Sequence, residues 1–195
     1  MSTPAAFHQP LLAISLPDWA PERVRQAPPC AHDEDRMRLA IELSRANVEH
    51  GTGGPFGAAV FERGGAHPLA IGVNRVEALA NACAHAEVIA LMAAQARVGS
   101  HTLRRSGAPA CELFTSCAPC AMCLGAALWS GVTRIVCGAT REDALALGFD
   151  EGPVFDASWR YLEARGIEVA HGVLAREARA VLASYAARGG LIYNA

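Results

Sequence analysis

Two short runs bring together residue types that could do chemistry: His85-Ala86-Glu87 and Pro119-Cys120-Ala121-Met122-Cys123. His85, Cys120 and Cys123 are three candidate ligands for a zinc ion, and Glu87 is a carboxylate beside them. Three protein ligands leave a tetrahedral zinc with one open position for water, whereas a structural site closes that position with a fourth Cys or His. An open metal site next to an acid/base group points to hydrolysis rather than scaffolding. Zinc lowers the pKa of a bound water from about 15.7 to about 7. At about 1.36 kcal/mol per pKa unit, that favours the ionised form by roughly 12 kcal/mol. A positioned carboxylate adds a factor of about 10² to 10⁴. The metal is the larger effect, and Glu87 makes the proton transfers productive.

The spacing suits this task if both runs open helices. Cys120 and Cys123 stand at i and i+3 in the first turn of a helix expected from Pro119 to Trp129, so both sulfurs project from one face. Pro119 suits a first turn, where its missing N–H costs nothing, and the helix N-terminus favours thiolate over thiol. His85 opens a second helix, expected to run to Arg97. If the two helix starts lie side by side at one edge of a sheet, their tips converge on one ion. Cys117 could instead close the site as a fourth ligand, which would leave Glu87 without a task. Cys83 reads as a packed thiol, and Cys30, Cys111 and Cys137 as small core or surface residues. The remaining histidines (His8, His32, His50, His67, His101 and His171) lack ligand spacing. Trp129 ends the Cys-bearing helix and reads equally as core or as a pocket wall.

The elements that must position these groups follow from hydrophobic periodicity. Residues 1–31 hold six of the eleven prolines and show no sustained period, so they read as an N-terminal arm lying on the body or partly disordered. From Asp33, a candidate N-cap, Met37, Ala40, Ile41, Ser44 and Val48 share a helical face, which Gly51, Gly53 and Gly54 end. Phe56 to Phe61 and Leu69 to Asn74 read as a hairpin of strands. Further strands are expected at 110–115, 134–139 and 167–173, with helices at 143–147, at 158–165 and from Leu174 through Tyr185. This order implies an α/β domain of three layers, a mixed five-stranded sheet between helices.

The bulk composition excludes several function classes. The 195 residues are 52% hydrophobic and 18% charged, enough for a sizeable core and unlike a disordered chain. The net charge of −2 argues against a nucleic-acid-binding protein, which would be basic. No apolar stretch is long enough to span a bilayer. The N-terminus, broken by Pro4, Pro10 and Pro17, does not read as a signal peptide. With an odd count of seven cysteines, this favours reduced thiols and a metal in the cytoplasm.

The H-x-E…P-C-x-x-C pattern is that of the zinc nucleobase deaminases. Residues 32–195 resemble the cytidine deaminase superfamily, and within it bacterial guanine deaminases. The matching text is Gly54-Pro55-Phe56-Gly57-Ala58, Gly72-Val73-Asn74-Arg75-Val76, Ala84-His85-Ala86-Glu87 and the run from Thr115 to Ala126. Gly148-Phe149-Asp150-Glu151 and the terminal Ile192-Tyr193-Asn194-Ala195 are the more specific part. The resemblance implies a cytidine deaminase-like α/β/α sandwich with zinc on His85, Cys120 and Cys123 and Glu87 as proton shuttle. It implies that Asn74 hydrogen-bonds a purine and that Phe56 lines or stacks on its ring. Glu151, it implies, reads the N1/2-amino edge of guanine and joins in proton transfer. Asp150 and Trp129 are further candidate substrate contacts, and the C-terminal segment is a lid carrying Tyr193. Bacterial relatives are dimers, so a homodimer is expected. Ala118 departs from relatives that carry Glu before the Pro-Cys pair, which implies tuning rather than loss of zinc.

The reading is hydrolytic deamination of guanine to xanthine and ammonia, with related aminated rings such as ammeline as further substrates. The expected partner is a small-molecule purine, with neither nucleic acid nor membrane. One rival is a deaminase of another base or of tRNA adenosine, which would need a basic surface. The other is a non-catalytic, zinc-stabilised binding module with a closed site.

Overall fold

The central strands bury both faces, and the side chains on each pleat divide the core in two. Ala59, Phe61, Phe114 and Val136 point to one side of the sheet, and Ala58, Val60, Leu113 and Ile135 to the other. Strands covered on both sides read as continuous apolar runs rather than as alternation, as Ile135 to Ala139 does. The computed structural model describes residues 11–194. Its elements are α1 (Trp19–Gln26), α2 (Asp33–Glu49), β1 (Gly57–Glu62), β2 (Pro68–Val73), α3 (Ala86–Val98) and β3 (Cys111–Cys117). They continue with α4 (Ala121–Ser130), β4 (Arg134–Ala139), α5 (Arg141–Leu145), α6 (Asp156–Ala164), β5 (Glu168–Ala170) and α7 (Ala175–Ala187).

The sheet order is β2-β1-β3-β4-β5. β1 pairs antiparallel with β2 and β3, while β3–β4 and β4–β5 are parallel, so the sheet is mixed as expected. Helices α2 and α7 cover one face, and α3, α4 and α6 the other. This is the three-layer α/β/α sandwich. Because β2, β3 and β4 run in the same direction, their C-terminal ends lie at one sheet edge, together with the N-termini of α3 and α4. No helix among the described residues is long and apolar enough to cross a membrane.

Gly72 on β2 sets how closely α3 approaches. A Cβ there would stand 2.0 Å from the Ala86 carbonyl oxygen and 2.7 Å from the Ala90 nitrogen. Glycine therefore lets the first turn of α3, next to His85, rest directly on the strand. At the opposite end of the sheet a buried ion pair ties α2 to β3: Arg36 Nη1 meets Glu112 Oε2 at 2.6 Å, both side chains almost fully covered. The Arg36 guanidinium also lies 5.1 Å from the Phe61 ring centroid, so it is paired, stacked and buried at once.

The arm differs from its reading. Part of it, Trp19–Gln26, is a helix with Ala20 fully buried. The prolines hid it, yet Pro21 sits in the first turn, where no intrahelical N–H is lost. The first ten residues, including His8, Pro4 and Pro10, and the terminal Ala195 lie outside the described residues. The N-cap of α2 is His32 rather than Asp33, and its backbone N–H donates to Asp35 Oδ2 at 3.1 Å. At the sheet edge, β5 covers only three of the seven residues expected.

Gly72→Ala should destabilise the fold by roughly 1–3 kcal/mol through overpacking, read as a lowered midpoint in thermal unfolding.

Candidate active site

His85 and Cys120 occupy equivalent places in two helices. Each is an N-cap with extended backbone, His85 before α3 (φ −74°, ψ 153°) and Cys120 before α4 (φ −68°, ψ 173°). Helix α4 thus starts two residues later than its pattern suggests, because Pro119 and Cys120 are spent on leaving β3. The i, i+3 relation survives, with Cys123 in the first helical turn. His85 Nδ1 lies 3.6 Å from Cys120 Sγ and 3.5 Å from Cys123 Sγ. All three donor atoms fall within 4.8 Å of one another. Two sulfurs and one imidazole at this spacing fit a tetrahedral zinc with one position left open.

Cys117 takes no part. It ends β3, turns its thiol toward the Thr140 carbonyl at 3.4 Å, and is held far above the usual thiol range by burial. The clustered donors are His85, Cys120 and Cys123, with Cys117 outside the group. Cys83 is exposed rather than packed, while Cys30, Cys111 and Cys137 are buried in the core.

Around the ligands lies a small cavity lined by Phe56, Asn74, Glu87, Ala118, Phe149, Glu151, Tyr193 and Asn194. Its free space is about 20 Å³, the room of a single water. Glu87, in the first turn of α3, is 6% exposed, and burial followed by the neighbouring Cys120 raises its pKa. Glu151 is also 6% exposed. Burial, then the charges of Cys120 and Glu87, pushes it up to about 8. Cys120 is drawn down to about 4, first by the hydrogen bond from Cys123, with His85 adding to it. A thiolate and two crowded carboxyls form an anionic pocket that a divalent cation would balance.

Backbone bonds fix Glu151 here. The Ala121 N–H, one of the unpaired donors at the start of α4, donates to the Glu151 carbonyl at 3.0 Å. Asn74 follows β2 directly. Its Oδ1 accepts from the Gly54 and Val76 backbone N–H groups, both at 3.3 Å, so its Nδ2 is free to face the cavity. There it donates to the Tyr193 hydroxyl at 2.7 Å. Phe56 meets Phe149 edge-on at 5.1 Å between ring centroids, and Phe149 lies 5.2 Å from the Tyr193 ring. The tail that carries Tyr193 is held by Tyr185 Oη donating to the Leu191 carbonyl at 2.8 Å and by Asn194 Nδ2 donating to the Asp150 carbonyl at 2.6 Å.

Of the residues singled out in the sequence, His85, Cys120, Cys123, Glu87, Glu151, Phe56, Asn74 and Tyr193 converge. Trp129 does not. It sits at the end of α4, 80% exposed and outside the cavity, because one and a half helical turns carry it away from Cys123. Asp150 is exposed on an outer shelf beside Glu151 and Asn194, where its Oδ1 accepts from the Gly152 N–H at 2.8 Å. Phe149 and Asn194 line the cavity although neither was picked out as a contact. Both stood inside the matching Gly-Phe-Asp-Glu and C-terminal runs, which were the available signal.

Residues 30–139 match the family model for the cytidine and deoxycytidylate deaminase zinc-binding region. A guanine deaminase from Bacillus subtilis is 36% identical over 122 residues, covering 63% of this chain and 74% of that protein. The solved structure of a guanine deaminase from Nitrosomonas europaea is 45% identical, covers 93% of this chain and 100% of its own, and gives a TM-score of 0.86. Another solved structure, an asparagine-to-glutamine variant in complex with 8-azaguanine, is 44% identical, covers 94% and 100%, and gives 0.87.

Cys123→Ser should lose its zinc during gel filtration, whereas Cys117→Ser should retain it, as read by elemental analysis of the purified proteins.

Proposed function

We propose that this chain, which belongs to the cytidine and deoxycytidylate deaminase family, hydrolyses guanine to xanthine and ammonia. One observation carries the reading: His85 and Cys120 of the three-ligand cluster, two buried carboxyls, the Asn74 amide and the Phe56 ring line a single cavity. The guanine deaminases among its relatives and the neighbour holding 8-azaguanine support the choice of base. His85, Cys120 and Cys123 hold zinc, which supplies the Lewis acidity that lets water act as a nucleophile near neutral pH.

The chain's own residues do the rest. Phe56 lies along the purine ring, and the Asn74 Nδ2–H donates to a ring acceptor. Glu151 receives the adjacent N–H donors of the N1/2-amino edge. Burial raises the pKa of Glu151 above the usual carboxylate range, which suits a carboxyl that both holds and releases a proton. Glu87 takes a proton from the water that adds to C2 and passes it to a ring nitrogen. It then helps protonate the amine, which leaves as ammonia when the C–N bond breaks. An aminotriazine such as ammeline offers the same amidine edge and is a second substrate class.

The cavity has room for one water, so a purine enters only when Tyr193 and the tail withdraw. Tyr193 is the lid residue, and Asn74, which it caps, is exchanged from the Tyr193 hydroxyl to the substrate. Residues 32–195 form the deaminase domain with this lid, and residues 1–31 precede it as a separate proline-rich N-terminal arm. The protein works in the cytoplasm as a homodimer, for which exposed Met122 and Trp129 on α4 offer an apolar face.

Ammonia release from guanine by the zinc-loaded protein tests the reading. Glu87→Ala should keep its zinc and lose at least about 10²-fold in turnover; normal turnover in that variant would refute the role given to Glu87. Glu151→Gln should also lose turnover. If guanine is inert while another base is consumed, the role of Glu151 is wrong and the mechanism at Glu87 stands. Sedimentation velocity tests the assembly: wild type should run as a dimer and Trp129→Glu as a smaller species.

A further inference from the structure

A buried polar chain behind the cavity has no part in the mechanism above. Asn47 lies on α2 with no exposure to solvent. Its Nδ2 donates to two carbonyls, Gly54 and Asn74, both at 2.8 Å. Its Oδ1 accepts from Thr52 Oγ1 at 2.7 Å. The same threonine hydroxyl accepts from the indole Nε1–H of Trp19 at 3.1 Å. Trp19 in turn stacks on His50, with ring centroids 5.3 Å apart and planes 13° from parallel. A continuous line of hydrogen bonds thus runs from α1 through Thr52 and Asn47 to the backbone of Asn74.

This line matters because of what it holds. Three of the four residues from Gly51 to Gly54 are glycines, with no side chain to anchor the loop. Yet the Gly54 N–H is one of the two donors that fix the Asn74 amide with its Nδ2 turned toward the cavity. Arg75 Nη1 holds the outer side of the loop by donating to the Thr52 carbonyl at 2.7 Å; Asn47 anchors its buried side, gripping the Gly54 carbonyl and the Asn74 backbone with the same NH₂ group. The packing leaves no alternative filler: a Cβ on Gly53 would stand 2.0 Å from the Asn74 carbonyl oxygen and 2.8 Å from Asn47 Nδ2. If the anchor is lost, the Gly54 N–H moves and the Asn74 amide is held by the Val76 N–H alone, so its orientation loosens. Its donor then meets substrate in only a fraction of encounters, while Glu87 and the metal ligands are untouched.

We propose that Asn47, acting with Thr52 and Trp19, is a positioning residue for the substrate-binding amide of Asn74. The proposal rests on the reading that Asn74 contacts the purine. It predicts a split between binding and turnover that a purely structural role would not produce.

The experiment is steady-state kinetics of the zinc-loaded full chain on guanine, with thermal unfolding and zinc content measured alongside. Thr52→Val keeps the side-chain volume and removes the hydroxyl. It should raise KM about tenfold, the size of a lost buried hydrogen bond, with kcat and zinc content close to wild type. Asn47→Asp should act in the same direction and more strongly. Trp19→Phe keeps an aromatic ring over His50, loses the N–H with part of the indole surface, and should raise KM roughly threefold. Thr52→Ser, which restores the hydroxyl, should restore KM. Asn74→Ala is the reference. If it leaves KM unchanged, the contact between Asn74 and the purine is wrong. If it raises KM while Thr52→Val and Asn47→Asp do not, the positioning role is wrong. A parallel loss of kcat, zinc and thermal stability in Thr52→Val would make the chain merely structural. Thr52 is only partly buried, so Thr52→Val decides the matter even if Asn47→Asp fails to fold.

Discussion

The structure depends on two helices starting at the same point in space. His85 caps α3 and Cys120 caps α4, and both helices begin at the edge where β2 and β3 end. There one imidazole and two sulfurs come within 4.8 Å of one another, as in no other group of three among the described residues. The requirement reaches down into the sheet. Strand β2 must be glycine at position 72 for α3 to lie close enough, and β3 must leave the sheet through Pro119 so that Cys120 arrives with extended backbone rather than helical. The parallel run of β3 and β4 places Glu151, which follows β4 and α5, at the same edge, where the first orphan N–H of α4 pins its backbone.

The second theme is charge held in little space. Glu87, Glu151 and the Cys120 thiolate crowd a pocket with room for one water. Burial pushes both carboxyls upward, the Cys120 thiolate raises each of them further, and Glu87 adds to the rise at Glu151. Such a cluster is costly for a fold that has no cation to place among it. Charge balance by zinc and proton storage by the carboxyls are therefore two sides of one electrostatic arrangement. The tail reaches the same pocket: the Tyr193 hydroxyl accepts from Asn74, and Asn194 ties the last residues to Asp150.

Much of this was legible in the chain. The strands and helices of residues 33–187 follow their periodicity to within a few residues, because both sheet faces are covered and each helix has one buried stripe. The ligand set was legible because Cys120 and Cys123 are neighbours on one helix turn, and His85 and Glu87 share another. The misreadings have physical causes. Pro21 obscured α1 although a first-turn proline breaks nothing. Trp129 looked like a pocket wall because it shares a helix with the ligands, but the helix carries it away from them and into solvent. Asn47, a polar residue within an apolar helical stripe, was the visible trace of the bonding behind Asn74, yet its partners lie in a glycine loop without pattern.

The sequence by itself determined which residues offer donors to a metal, which carboxylate stands beside them, and that α/β layers carry both. Those features are set within one helical turn or one strand, where spacing dictates direction. Only the tertiary structure decided what else enters the site. Asn74 meets Tyr193 across 119 residues of chain, and Asn194 reaches Asp150 across 44. Contacts between such distant segments arise from the closing of the sheet edge by the C-terminal tail, and no local period encodes them.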